Sequence, residues 1–389
     1  MSRGLALLAA TVALATLLAA CGKSTQTQGP RLGAKGTQPQ AAKDLGFPAF
    51  ATKNTTRVGG GDPVADAAGV AQAVYSSQSK LTRPAVVTLV DKGDWQAAIA
   101  ASVLMSSPLH APVLLTDGKD IPEATSDALG NLQPRGARTA GDAQAVRIGD
   151  AAQPQGLKTT DIAGSDPYAL ARAIDRFQAA VVGRSSDTVV VASGDDAGYA
   201  MPAAGWAAKS GDPVLFVKHD SIPSATRDAL QSHQRPHIYL LGPTSAIDAS
   251  VERGLRRLGT VTRIQGADPV RNSIAFARFR DGRFGWGVVD PGHGLVFASS
   301  SRPADAAAAA PLSASGTYGP LLVVDEGASL SQPLEQYLLD IQPGYQGDPV
   351  RGVYNHAWLI GDETALSLDT QSRIDALMEI VPVANSRSG

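Results

Sequence analysis

Histidine and carboxylate side chains are the first candidates for chemistry in this chain, because both can bind metals and transfer protons. The sequence contains six histidines, of which His233 and His237 have the spacing of two ligands on one helical face. Pro236 lies between them and argues against a regular helix. The sequence contains no HExxH motif, and its only cysteine, Cys21, is not joined by a second one that could act as a ligand. The sequence therefore predicts no metal site and no cofactor.

Motifs for a nucleophile or a bound phosphate are missing as well. The sequence has neither GxSxG nor GxxxxGK[ST], and GRFGWG (282–287) does not have the glycine spacing of the dinucleotide fingerprint. Asp195 and Asp196 follow a strand-like run, as catalytic carboxylates often do, yet adjacent aspartates there also cap helices. We therefore predict a binding protein that is not an enzyme.

The lone cysteine indicates a covalent modification instead. Cys21 follows an apolar stretch (5–20) that is short for a membrane span and begins shortly after Arg3. The residues LAAC (18–21) resemble the lipobox of bacterial lipoproteins, which implies cleavage before Cys21 and a diacylglyceryl thioether on it. We predict a signal peptide at 1–20 and a lipid anchor on the extracytoplasmic face of the membrane. An ordinary secretory signal with an incidental cysteine is the alternative.

The segment after Cys21 and the overall charge limit the partners. Residues 21–54 are rich in Gly, Gln, Pro, Ser and Thr, so we predict a flexible tether there.

The whole chain has 34 Lys and Arg against 36 Asp and Glu, a formal net charge of −2. This balance lacks the basic excess of nucleic-acid binders, so we expect no nucleic-acid partner. We also expect a monomer.

Three copies of one unit occupy the rest of the chain. Each copy opens on a turn and helix start, namely GGGDP (59–63), GSDP (164–167) or GADP (266–269). A strand-like run, an alanine-rich helix, a Pro-led apolar run and a short strand ending at glycine follow in the same order. Alternating strands and helices predict parallel sheets covered on both faces. The sequence therefore predicts an α/β fold with lobes at 55–158, 159–261 and 262–385.

The G-x-D-P turns have a structural explanation, and the strand ends after them are better candidates for binding. Asp62, Asp166 and Asp268 can each cap a helix whose first residue is the following proline. The Pro-led runs are predicted to be central strands, each followed by a loop and a helix start. Ligands of open α/β sheets bind at such carboxyl ends, where helix N-termini offer free N–H groups to anions.

The order of these elements resembles the cell wall-binding repeat 2 family of bacterial surface proteins over about residues 55–385. The resemblance implies three flavodoxin-like or Rossmann-like lobes in a pseudo-threefold arrangement and non-covalent binding to anionic cell-wall polysaccharides. It also implies that the family's Pro-Ile-Leu-Leu-type motif takes part in binding. In this sequence the motif falls on Pro112, Val113, Leu114 and Leu115, on Pro213, Val214, Leu215 and Phe216, and on Pro320, Leu321, Leu322 and Val323.

Two further family positions carry over to some of the copies. They are Arg57 and Arg263 for the opening arginine, and Asp196 and Asp305 for the aspartate at the start of the alanine-rich helix. The second copy has Asp161 in place of the arginine. In the first copy Asp94 is followed by Trp95, which we take as the best tryptophan for stacking on a sugar.

The prediction from sequence is therefore a membrane-anchored envelope lipoprotein that binds an anionic cell-wall polymer. The residues expected to contact anions near the strand ends are Arg57, Lys92, Lys119, Lys218, Arg263 and Arg302. Two alternatives are a lipoprotein receptor that delivers a small solute to a transporter and a purely structural envelope protein. A hydrolase acting on wall material is the least favoured, because its motifs are missing.

Overall fold

The computed structural model describes residues 49–315 and 319–383. The predicted signal peptide, Cys21 and the tether as far as residue 48 lie outside this range. The described part contains three main sheets, which are mostly parallel, a small two-stranded sheet and eleven α-helices. None of the helices within it is long and apolar enough to cross a membrane.

The elements of the first two repeats follow the predicted order. The first repeat consists of β1 (Ala49–Ala51), β2 (Thr55–Val58), α1 (Pro63–Val74), β3 (Val87–Asp91), α2 (Trp95–Ala101) with a 3₁₀ turn (Ser102–Met105), β4 (Val113–Thr116), α3 (Glu123–Leu132) and β5 (Ala145–Ile148). The second consists of β6 (Thr159–Ile162), α4 (Pro167–Val182), β7 (Thr188–Ser193), α5 (Ala197–Ser210), β8 (Val214–Val217), α6 (Ser224–Ser232), β9 (His237–Leu241) and α7 (Ala249–Leu255).

The third repeat has the same order with one extra pair of short strands. It consists of β10 (Thr260–Ile264), α8 (Pro269–Arg278), β11 (Gly294–Ser299), α9 (Asp305–Ala314), β12 (Leu321–Val324), α10 (Gln332–Asp340), β13 (Gly344–Tyr345), β14 (His356–Ile360), α11 (Leu368–Leu377) and β15 (Val381–Pro382). Strands β13 and β15 form a small parallel sheet of their own.

Each of the three main sheets borrows one strand from another repeat. The orders are β4-β3-β5-β6 in lobe 1, β8-β7-β9-β10 in lobe 2 and β12-β11-β14-β2 in lobe 3, where β1 adds an antiparallel edge. The opening strand of a repeat therefore completes the sheet of the preceding repeat, and β2 at the start of the chain completes the last sheet. The predicted boundaries at 158/159 and 261/262 separate the sequence repeats. They do not separate the sheets, because β6 lies in the sheet of lobe 1 and β10 in the sheet of lobe 2.

The helix after each borrowed strand crosses to the next lobe. Helix α1 leaves the sheet of lobe 3 and packs on β4 and α3 of lobe 1, and α4 and α8 make the equivalent crossings. This explains a difference from the expectation that the Pro-led runs are central strands. Strands β4, β8 and β12 lie at the ends of their sheets, and the crossing helices help to cover them.

The three alanine-rich helices meet at the centre of the molecule. Each of α2, α5 and α9 contacts the other two. Small side chains allow this close approach: a Cβ placed on Gly205 of α5 would lie 2.7 Å from Ser313 Oγ of α9. The predicted α/β fold with three parallel-sheet lobes is confirmed, and these helices are the common core around which the lobes are arranged.

The helix caps follow the prediction as well. The carboxylates of Asp62, Asp166 and Asp268 accept hydrogen bonds from backbone N–H groups three residues further on, at 2.9, 2.8 and 2.7 Å. Each is followed by a proline as the first helical residue. The three G-x-D-P turns are therefore structural features of the repeat.

The end of the predicted tether needs a correction. Residues 49–51 pair with β2 as strand β1, and the buried Asn54 donates its backbone N–H to Asp375 Oδ1 at 2.7 Å. Lys53 forms an ion pair with Glu379. These contacts attach residues 49–54 to lobe 3, so a flexible segment cannot extend to residue 54.

Candidate functional site

The Pro-led motifs lie inside the core of each lobe. All twelve of their residues are buried, and the side chains of Leu114, Phe216 and Leu322 are completely inaccessible. Burial of such an apolar side chain stabilises the fold by about 1.5–3 kcal/mol. In this conformation the motifs determine where the loops after β4, β8 and β12 begin, and their side chains do not reach a ligand at the surface.

The opening arginine of the first repeat has a structural role. Arg57 is only 7% exposed, and its guanidinium donates to Gln371 Oε1 at 3.0 Å. It also donates to the carbonyl oxygens of Gly361 and Asp362, both at 2.8 Å, and of Leu366, at 2.7 Å. These bonds hold the loop that follows β14 against β2. The guanidinium of Arg57 therefore donates its hydrogen bonds to other residues of the protein rather than to a ligand.

Arg263, the opening arginine of the third repeat, makes equivalent contacts in lobe 2. Arg263 donates to the carbonyl oxygens of Gly242, at 2.7 Å, and Ile247, at 3.1 Å, and pairs with Glu252 at 2.8 Å. Gly242 follows β9 as Gly361 follows β14. Arg263 therefore holds the loop after the closing strand of the second repeat, and Arg57 holds the loop after the closing strand of the third.

Lobe 1 achieves the same result with an arginine on the neighbouring strand. Asp161, which replaces the opening arginine, is paired in register with Arg147 of β5. Arg147 forms an ion pair with Asp161 at 2.8 Å and donates to the carbonyl oxygen of Ala151 at 2.9 Å. Sequence reasoning missed Arg147 because its role depends on the pairing of β5 with β6, which joins two repeats.

The aspartates at the starts of the central helices differ in environment. Asp94 and Asp196 cap α2 and α5 by accepting from Ala97 N and Gly198 N, each at 3.0 Å. Asp305 is the first residue of α9 and is completely buried. The first two therefore occupy N–H groups that an anion would otherwise bind, while the third belongs to a buried charge cluster.

That cluster lies at the carboxyl edge of lobe 3 and contains Asp66, Arg302 and Asp305. Asp66 Oδ1 accepts from Gly60 N at 2.6 Å, and the other oxygen forms an ion pair with Arg302. Arg302 Nε lies 3.1 Å from Asp305 Oδ2. Burial, with the charge of Asp305, raises the pKa of Asp66 to about 9. Burial also raises the pKa of Asp305, so one guanidinium and two carboxyl groups share a site that favours keeping a proton.

Trp95 lies at the junction of lobes 1 and 2. Its ring meets Phe216 of β8 edge to face, with centroids 5.8 Å apart. The next side chain, Gln96, donates to the carbonyl oxygen of Gly194 at 3.2 Å. Trp95 is partly buried and lies beside the loop after β7.

The predicted lysines at the carboxyl edges are exposed but have partners. Lys92 pairs with Asp117 at 2.6 Å, and Lys119 pairs with Asp150 at 3.0 Å. Lys218 Nζ lies 5.9 Å from the ring centre of Tyr168. Exposed ion pairs are weak, so an anionic ligand can compete for these lysines.

The histidines do not come together. His233 ends α6 and is buried, with Nε2 2.8 Å from Asp175 Oδ2 and Nδ1 2.7 Å from the carbonyl oxygen of Ser186. His237 is the exposed first residue of β9, so the pair does not share a helical face. In the described ranges, no three His, Cys, Asp or Glu side chains are grouped as a metal site.

The chain has a three-lobed α/β fold, and one part of it matches a known protein family. Residues 161–252 match the family described as Cell wall binding domain 2 (CWB2). This match confirms the resemblance drawn from the repeats for the matched segment. The matched segment begins within β6 and includes β7, β8 and β9 of lobe 2.

Two solved structures share the fold of this chain. Cwp6 from Clostridium difficile has a TM-score of 0.66 at 18% identity, over 86% of this chain and 51% of that chain. Cwp8 from the same organism has a TM-score of 0.62 at 15% identity, over 84% of this chain and 52% of that chain. At these identities they show the fold alone.

Two curated proteins of Bacillus subtilis (strain 168) share sequence with the chain. The N-acetylmuramoyl-L-alanine amidase LytC is 28% identical over 224 residues, which are 57% of this chain and 42% of LytC. The protein named Amidase enhancer is 25% identical over 209 residues, or 53% of this chain and 28% of that protein. The matches thus span less than half the length of either relative.

Proposed function

We propose that the three-lobed domain binds an anionic polysaccharide of the cell wall without catalysing a reaction. The observation that carries this proposal is the match of residues 161–252 to a cell wall binding family, within a chain that repeats the same unit three times. The match to LytC covers 42% of that enzyme, so it does not by itself extend the amidase activity to this chain.

The proposed contact surface is formed by the loops at the carboxyl ends of the strands. The Pro-led motifs position these loops from inside the core, and Arg57, Arg147 and Arg263 hold the loops after the closing strands. Direct contacts would come from the exposed Lys92 and Lys218 and from the partly buried Trp95. This assigns the predicted motif residues a positioning role.

Attachment to the membrane through Cys21 is part of the proposal. The lipobox-like LAAC supports it, and the segment after Cys21 would let the domain reach wall polymer while the lipid holds the other end. The alternative of a solute receptor for a transporter is less consistent with the structure, because three equivalent lobes replace the two lobes and hinge of such receptors.

A pull-down with purified wall polymer tests the proposed function. The Cys21→Ser chain without its signal peptide is mixed with immobilised anionic polymer at low and raised salt, with a neutral glucan as the control matrix. We expect retention on the anionic polymer at low salt and weaker retention at raised salt. Absence of retention at low salt, equal retention on neutral glucan, or release of reducing sugar or phosphate would each contradict part of the proposal.

A further inference from the structure

A cavity of about 610 Å³ lies at the opposite end of lobe 2 from the proposed contact surface. Six of its lining residues, which define the lobe 2 pocket, are Arg184, Trp206, Lys209, Arg280, Arg283 and Trp286. Thr188, the first residue of β7, also lines it. Because a six-residue strand spans about 20 Å, the pocket is separate from the loops at the carboxyl ends.

Cationic side chains predominate in the lobe 2 pocket. Arg280 and Arg283 are exposed, and neither forms an ion pair with a described carboxylate. Lys209 Nζ lies 4.5 Å from the ring centre of Trp286, and burial together with the charge of Arg280 lowers the pKa of Lys209. Two carboxylates line the pocket, but Asp187 lies 3.7 Å from Arg184 and Asp212 is engaged by Trp206 Nε1 at 2.8 Å.

The loop that carries the two arginines is held in one conformation. Asp281 and Phe284 exchange backbone hydrogen bonds of 2.8 and 2.9 Å, and Phe284 stacks on Tyr239 with ring centres 3.5 Å apart. Gly285 has φ of +90°, and a Cβ there would lie 2.3 Å from the carbonyl oxygen of Phe279. A rigid loop presents Arg280 and Arg283 at little entropic cost to a ligand.

We propose that the lobe 2 pocket binds a saccharide unit that carries a carboxylate or phosphate group. Arginines recognise such anions through paired N–H donors, and Arg280 and Arg283 have no ion pair with a described carboxylate that would compete with an anionic ligand. The cavity volume lies in the usual range for small-molecule sites. The hydroxyl groups of Ser186, Thr188 and Ser210 line the same cavity and can bond to sugar hydroxyls. This site goes beyond the proposed function, which concerns the carboxyl ends of the strands.

The test uses small probes and the intrinsic fluorescence of the four tryptophans, two of which, Trp206 and Trp286, line the pocket. The chain without its signal peptide is titrated with glucose 6-phosphate, glucuronate, glucose and inorganic phosphate, and calorimetry confirms each affinity. The Arg280→Ala/Arg283→Ala variant removes the charges, and Arg227→Ala removes an exposed charge of the same lobe outside the pocket. Melting temperature checks that each variant is folded.

We expect saturable binding of at least one charged sugar and much weaker binding of glucose. Affinity should fall about a hundredfold in the double variant, or about tenfold for each arginine, and stay unchanged in Arg227→Ala. Failure of both charged sugars to bind, equal binding by glucose, equal binding by inorganic phosphate, or unchanged affinity in the double variant would overturn the proposal. Retention of the double variant on wall polymer would leave the proposed function intact.

Discussion

The buried pair Asp66 and Asp305 allows a quantitative prediction about stability and pH. Both carboxyl groups are completely inaccessible, and Arg302 is the guanidinium between them. The pKa of Asp66 is raised from 3.8 to about 9 in the folded chain, mainly by burial. Between those values Asp66 therefore holds about one proton more in the folded state than in the unfolded state.

The sign and size of the effect follow from that proton. Because the folded pKa is raised, the contribution of Asp66 to stability is fully present below pH 3.8 and is lost as the pH rises toward 9. One proton corresponds to about 1.4 kcal/mol per pH unit. The free energy of unfolding should therefore fall by about 3 kcal/mol between pH 6 and pH 8 on account of this group.

Asp66→Asn should remove this dependence. The third repeat shows that an amide can occupy the equivalent position, because Asn272 Oδ1 accepts from Gly266 N at 3.1 Å as Asp66 does from Gly60 N. The side-chain amide introduced by Asp66→Asn does not titrate. The absolute stability of the variant can change, since Arg302 loses an acceptor, so the pH dependence is the quantity that carries the prediction.

The assay is urea unfolding at pH 6 and pH 8, followed by tryptophan fluorescence. Asp62→Asn is the matched control, because Asp62 is an exposed cap four residues earlier on the same helix. We expect the wild type and the control to lose about 3 kcal/mol more than Asp66→Asn over this interval. Equal pH dependence in all three proteins would refute the claim that the pair retains a proton at neutral pH.

Three further predictions concern the arginine, the central helices and the anchor. Arg57→Met should lower the free energy of unfolding by about 3–5 kcal/mol, because buried acceptors lose their donor, and a loss below about 1 kcal/mol in urea unfolding would contradict this role. Gly205→Ala should cost about 1–3 kcal/mol by overpacking against Ser313. Gly130→Ala is its control, since a Cβ there meets no atom within 4 Å, and equal stability of the two variants would contradict the close packing. Cys21→Ser should move the protein from the membrane fraction to the soluble fraction in cell fractionation, and an unchanged distribution would exclude the lipid anchor.

The order of elements could be predicted from the sequence because local chemistry determines it. Asp62, Asp166 and Asp268 mark three helix starts, and the buried runs after them identify the strands. The sequence could not show that β2 completes the sheet of lobe 3, because a strand's composition does not specify its partner. That pairing is a contact between residues about 300 positions apart, such as Arg57 and Gly361.

The roles of individual charges were harder to predict for the same reason. Arg57 and Arg263 were expected to contact anions. In the structure their guanidinium groups instead donate hydrogen bonds to backbone carbonyl oxygens in the loops after β14 and β9. Conversely, Arg280 and Arg283 lie in a stretch without a recognised motif and become candidates only beside Lys209 and Arg184. Whether a cation is available to a ligand depends on tertiary contacts, which composition and spacing do not encode.

Binding to cell walls with and without their anionic polymers tests the central claim most directly. Purified walls are divided, one half is stripped chemically of anionic polysaccharide, and co-sedimentation of the Cys21→Ser domain with each half is measured at low salt. The account predicts saturable binding to intact walls and little binding to stripped walls. Equal binding to both halves, or to neither, would contradict the account.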